Sequence, residues 1–115
     1  MARVCFQLQV KPDRLPEYIE RHRAVEPGML QAIADAGRRN YSLFLRHDGL
    51  LTGYYETDDD AESARLLAAD PRTAAWEAQM RDYFVGLDGR ADQSAQVIPE
   101  VFNLDDQLAH LRKTS

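Results

Sequence analysis

The stretch NYSLFLRHDGLLTGYYE, residues 40–56, reads as two strands folded about a tight turn. Asn40 to Arg46 and Leu50 to Glu56 are rich in aromatic and aliphatic residues. His47-Asp48-Gly49 between them carries the Asp-Gly pair that hairpins favour, because glycine reaches the left-handed backbone region without penalty. In the first strand Tyr41, Leu43 and Leu45 share one face, opposite Ser42, Phe44 and Arg46. A hairpin set between two helical regions decides the plan of the chain.

Upstream lies PDRLPEYIERHRAVEPGMLQAIADAG, residues 12–37. Leu15, Tyr18, Ile19, His22, Val25, Met29, Ile33 and Ala36 recur at three- and four-residue steps, the pattern of a helix with one buried face. Asp13 is placed to cap it, Pro27-Gly28 to interrupt it near Glu26, and Gly37 to end it. Before it, Arg3 to Val10 alternates as a strand, with Val4, Phe6, Leu8 and Val10 on one face and Arg3, Cys5, Gln7 and Gln9 on the other. Downstream, Asp60 to Phe84 is helical, opened by the capping run Asp58-Asp59-Asp60. Asp70-Pro71 breaks it, and it resumes with Trp76, Met80, Tyr83 and Phe84. Gly86 to Ser94 reads as a loop, and Gln96 to Leu104, with Val97, Ile98, Val101, Phe102 and Leu104, contains the closing strand, placed at Glu100 to Leu104.

The order strand, helix, strand, strand, helix, strand is the ferredoxin-like α+β plan: an antiparallel sheet with its helices on one face. One domain is expected over residues 1–105. Residues 106–115 form a C-terminal tail, either a short helix around Leu108 and Leu111 or a frayed end. A sheet face without helices needs an apolar cover, so a homodimer is expected.

A net charge of −5 with mixed signs argues against nucleic acid or an anionic membrane as partner. Cys5 stands alone, which rules out an internal disulfide and a multi-thiolate metal site. His22, His47 and His110 lack ligand-like spacing, and there is no glycine-rich phosphate loop. No metal or cofactor is expected. The N-terminus has no signal-peptide pattern and no apolar run is long enough to span a bilayer, so a cytoplasmic location is expected.

Tyr18 and His22 lie one turn apart on the apolar stripe, where two ordinary core residues would be expected. Imidazole exchanges protons near neutral pH, so the pair has the makings of proton-transfer machinery lining a pocket. The alternative is a core histidine whose nitrogens are satisfied by backbone groups. Tyr41 and Trp76 stand equally well as ordinary strand and core aromatics or as the walls of a small-molecule pocket.

Several segments resemble the L-rhamnose mutarotase family in order and spacing: FQLQVKPDRLPEYIERH, GRRNYSLFL, DPRTAAWEAQM and IPEVFNLD, from Phe6 to about Asp105. The most specific parts are Glu17, Tyr18 and His22 as EYxxxH, the pair Asn40-Tyr41, and Glu100-Val101-Phe102. The resemblance implies a dimeric α+β barrel that interconverts the α and β anomers of L-rhamnose, or a related 6-deoxy sugar, without cofactor. It also implies His22 as proton donor, with Tyr18, Tyr41 and Trp76 binding the monosaccharide, and the closing strand reaching across to the partner subunit. Two positions depart from the family pattern. Ala75-Trp76 stands where a tryptophan pair is usual, and Glu26 where an aromatic often precedes the helix proline. The competing expectations are an oxygen-using, monooxygenase-like barrel of the same strand order and a non-catalytic small-molecule-binding dimer.

Overall fold

A computed structural model describes residues 1–86 and 95–114 of the chain. Four strands, β1 (Ala2–Gln9), β2 (Arg39–Leu45), β3 (Leu50–Thr57) and β4 (Gln96–Ile98), form one antiparallel sheet in the order β2-β3-β1-β4. That is the expected ferredoxin-like arrangement. Its helices are α1 (Leu15–Arg21), α2 (Pro27–Asp35), α3 (Asp60–Ala69) and α4 (Pro71–Arg81), followed by a C-terminal α5 (Leu104–Thr114).

Alternation along β1 decides which sheet face is covered. Val4, Phe6 and Val10 are buried, and they oppose the apolar positions of β3 in the register Val4↔Tyr55, Phe6↔Gly53 and Leu8↔Leu51. Gly53 is required by packing: a Cβ there would lie 2.1 Å from Cζ of Phe6. The bare glycine lets the Phe6 ring lie across β3, where it meets Tyr41 edge-on at 6.2 Å and Tyr55 at 6.0 Å. At the other end of the sheet Val10, Tyr18, Leu51, Met80, Tyr83 and Phe84 pack together, so α1 and α4 are anchored on the same face.

The turns behave as their residues dictate. Gly37 (φ +82°) ends α2, and Gly49 (φ +95°) turns the hairpin against the Val10 carbonyl. Asp59 caps α3 by accepting from the Glu62 N–H, and Asp70 caps α4 by accepting from the Arg72 N–H.

Three expectations are corrected. Asp13 does not cap α1; it sits in a 3-10 turn, Pro12–Arg14, and the helix begins at Leu15 with no side-chain cap. The first helix ends at Arg21, earlier than expected, while α2 makes the fresh start expected at Pro27, with Glu26 as its N-cap. The closing strand is Gln96–Ile98 rather than Glu100 to Leu104. Pro99 has no N–H to give the ladder, so pairing with β1 stops there. Asn103 then accepts from the Asp106 N–H, which starts α5 where the strand was expected to finish. Of the loop expected at Gly86 to Ser94, residues 87–94 lie outside the described residues.

Beyond β4 the chain leaves the sheet. Val101 is 97% exposed, and Phe102, Leu104 and Leu111 are also exposed. This arm is tied to β1 through Arg3, which donates to Glu100 at 2.8 Å and to Asp106. The radius of gyration, 15.8 Å, exceeds the roughly 13 Å of a compact domain of this length.

Candidate active site

His22 closes α1. Its backbone N–H reaches the carbonyls of Tyr18 (3.3 Å) and Ile19 (3.1 Å), and its Nδ1 lies 2.8 Å from the Tyr18 carbonyl. A carbonyl oxygen only accepts, so Nδ1 carries the proton and Nε2 keeps the lone pair. The imidazole stacks on the Tyr18 ring at 4.1 Å and meets the Trp76 ring edge-on at 5.2 Å. Tyr83 and Phe84 meet Tyr18 edge-on at 5.9 and 5.7 Å.

Burial sets the protonation of both groups. It lowers the His22 pKa below the ordinary imidazole value, outweighing the backbone hydrogen bond that favours the charged ring. Burial also raises the Tyr18 phenol, with smaller contributions from Tyr41 and from the Glu77 carboxylate. At neutral pH the site therefore presents a neutral imidazole beside a protonated phenol.

Both face a cavity of about 610 Å³ between the helices and the sheet, within the usual ~300–1,000 Å³ range of small-molecule pockets. All four residues expected at the site, Tyr18, His22, Tyr41 and Trp76, line it. Asn40 helps to bring Tyr41 there: it takes a left-handed conformation (φ +50°), and the β2–β3 register shifts between Arg39 and Ser42. The wall on α4 differs from the expected Ala75-Trp76. Ala75 is exposed on the outer side, and Glu77 lines the cavity beside Trp76.

The far end of the cavity is polar and was not anticipated. Arg38, Tyr55 and Asp60 line it together with Tyr41. Tyr55 could have been found from the alternation of β3, which puts it on the face of Leu51 and Gly53. In the sequence Arg38 stood only within the GRRNYSLFL segment, and Asp60 only in the capping run that opens the second helical region. Among the described residues no three His, Cys, Asp or Glu side chains gather as a metal site.

The family model described as L-rhamnose mutarotase matches residues 3–104. The chain belongs to that family. The L-rhamnose mutarotase of Mannheimia succiniciproducens is 32% identical over 108 residues, covering 91% of this chain and all of the relative. The solved L-rhamnose mutarotase of Formosa agariphila superposes with a TM-score of 0.72 at 23% identity, covering 90% of this chain and 99% of that one. Tetracenomycin F2 cyclase from Streptomyces glaucescens shares the fold as well, with a TM-score of 0.56, 19% identity and coverage of 90% and 99%. The fold by itself does not choose an activity. Family membership comes from the sequence match.

Proposed function

We propose that this protein is an aldose 1-epimerase-type isomerase that interconverts the α and β anomers of L-rhamnose or a closely related 6-deoxy sugar. His22 is the proton-transfer residue, and Tyr18, Tyr41 and Trp76 hold the monosaccharide. The family match favours this reading over an oxygen-using barrel or a non-catalytic binder. The observation that carries it is the His22 imidazole: desolvated, held in one tautomer by the Tyr18 carbonyl, and on the wall of an aromatic cavity.

Mutarotation needs one proton taken and one given. A base removes the proton of the anomeric hydroxyl, the C1–O5 bond breaks with its electron pair going to O5, and O5 receives a proton. Rotation about C1–C2 turns the aldehyde, and the reverse steps close the ring on its other face. Neutral Nε2 is suited to take the first proton and, once charged, to return it. The Tyr18 phenol keeps its own proton and donates a hydrogen bond. The aromatic faces pack against the sugar's C–H patch.

A homodimer is part of the proposal. The exposed apolar arm from Val101 to Leu111 and the exposed Phe44 on the open sheet face support it. A cytoplasmic location fits the single free thiol, Cys5, and no described helix is long and apolar enough to cross a membrane.

Exchange NMR on equilibrated L-rhamnose tests the activity. Catalytic amounts of protein should transfer saturation between the two anomeric protons far faster than buffer does. Exchange no faster than buffer, over a panel of 6-deoxyhexoses and aldohexoses, would overturn it.

A further inference from the structure

The polar end of the cavity is built around a buried arginine. Arg38 is 8% exposed, precedes β2 directly, and lays its guanidinium over the Tyr55 ring at 4.1 Å. Its Nε donates to Ser63 Oγ on α3 at 2.8 Å, which fixes the plane of the group. Its Nη2 lies 3.9 Å from Asp60 Oδ1, beyond hydrogen-bond reach. Asp60 in turn accepts from the Tyr55 hydroxyl at 2.5 Å. The fold thus holds a donor fork and a carboxylate side by side on the cavity wall as a long ion pair, with no hydrogen bond between Nη2 and Oδ1.

We infer that Arg38 and Asp60 form the specificity-determining end of the site, reading vicinal hydroxyls of the sugar remote from its anomeric carbon. The inference rests on the mutarotase reading of His22. A diol suits the pair because each hydroxyl both gives and takes: oxygens accept from the guanidinium while a hydroxyl proton goes to the carboxylate. A single hydroxyl seated between Nη2 and Oδ1 bridges their gap at ordinary hydrogen-bond lengths. A sugar acid is disfavoured there, since its carboxylate would approach Asp60. Tyr41 stacks on Tyr55 at 5.3 Å and leads from this end towards Tyr18. The two ends are offset along β3 by the four residues from Leu51 to Tyr55, roughly 13 Å at the strand rise. A pyranose seated with C1 at His22 and its ring along Tyr41 points its remote hydroxyls to the Arg38 end.

The most specific motifs of the resemblance, EYxxxH, NY and EVF, do not include Arg38, Tyr55, Asp60 or Ser63, so this end is read from the geometry. Its consequence is selectivity between neutral sugars that differ at one hydroxyl. A site built to hydrogen-bond a hydroxyl discriminates against the analogue that lacks it, because the polar group that would meet that hydroxyl loses its partner.

The test couples variants to deoxy analogues, with anomer exchange as the readout. Arg38→Met and Asp60→Asn are compared with the parent on L-rhamnose and on its 2-, 3- and 4-monodeoxy forms. Asp60→Asn keeps the shape of a partly exposed side chain and serves if Arg38→Met fails to fold. In the parent, at least one deoxy sugar should lose about 10-fold or more in kcat/KM, the effect of one hydrogen bond to a charged group. In either variant, L-rhamnose should lose a similar factor, mostly through KM, while that deoxy sugar loses little more. A merely structural role would lower all four sugars alike. Full parental exchange with unchanged KM in both variants overturns the inference and leaves the mutarotase reading standing. A parent that exchanges none of the sugars overturns both.

Discussion

At the scale of single residues, the chemistry turns on which nitrogen of His22 is free. The Tyr18 carbonyl claims Nδ1 at 2.8 Å, and burial keeps the ring neutral. His22→Ala should therefore slow anomer exchange by at least ~10²-fold, the lower end of general acid–base contributions. The melting temperature should fall only by about 4–8 °C, the equivalent of ~1 kcal/mol in a domain this small. Near-parental exchange together with a collapse in melting temperature would make His22 a core residue. The pH profile follows from the same burial. Because the neutral ring is the working form, kcat/KM should rise with pH and level off with a midpoint below about 6.5, the ordinary imidazole value. A midpoint above that value would contradict the burial argument. Stability carries the same sign: the unfolded chain binds the His22 proton more readily than the folded one. This contribution is present above the unfolded pKa and is lost as pH falls from there towards the folded value. Tyr18→Phe keeps the ring on which His22 stacks and removes only the hydroxyl, so KM should rise with folding near normal. An unchanged KM would show that the hydroxyl does not meet the sugar.

At the scale of elements, the hairpin and its glycines govern the shape of the cavity. Gly53→Ala places a methyl carbon where the Phe6 ring lies, 2.1 Å from Cζ. Relief requires Phe6 to move, and with it the edge contact to Tyr41. Overpacking of this kind costs about 1–3 kcal/mol, so chemical denaturation should show a loss of that size together with weaker sugar binding. A stability equal to the parent's would mean that the β1–β3 register leaves room for the methyl. What the sequence made legible follows the same physics. Alternation in residues 3–10 and 40–56 and three-four spacing in residues 15–36 are direct imprints of strand and helix burial, so the sheet order and the Tyr18–His22 stack could be read from them. The end of the sheet could not. Val101 and Phe102 look like strand residues because β propensity marks apolar branched and aromatic chains, yet Pro99 had already ended the ladder and Asn103 was opening a helix. The polar end of the cavity escaped for a related reason: Arg38, Tyr55 and Asp60 come from three elements, and only tertiary packing brings them together.

At the scale of the whole molecule, the sheet and the arm that follows it make separate contributions. β4 pairs with β1 through Cys5↔Ile98, Phe6↔Val97 and Gln7↔Gln96, so all four strands are complete by Ile98. Beyond Pro99 the described chain is held to β1 by Arg3 with Glu100 and Asp106, partly exposed ion pairs that solvent screening keeps weak. Val101, Phe102, Leu104 and Leu111 meanwhile stay open to solvent, which is costly for an isolated chain and is relieved in the proposed homodimer if the arm is covered there. Ending the chain after Pro99 should therefore keep a cooperatively folded sheet while removing the apolar arm. Sedimentation at micromolar concentration should find the full chain as a dimer and the shortened chain as a monomer with a two-state melt. Phe102→Asp offers a milder version, placing a charge at the centre of the arm while leaving the Arg3 ion pairs in place. It should shift the full chain towards monomer without lowering the stability of the sheet. A shortened chain that remains dimeric would move the interface onto the open face of the sheet around Phe44. A full chain that sediments as a monomer would leave the apolar arm without the partner that its exposure calls for.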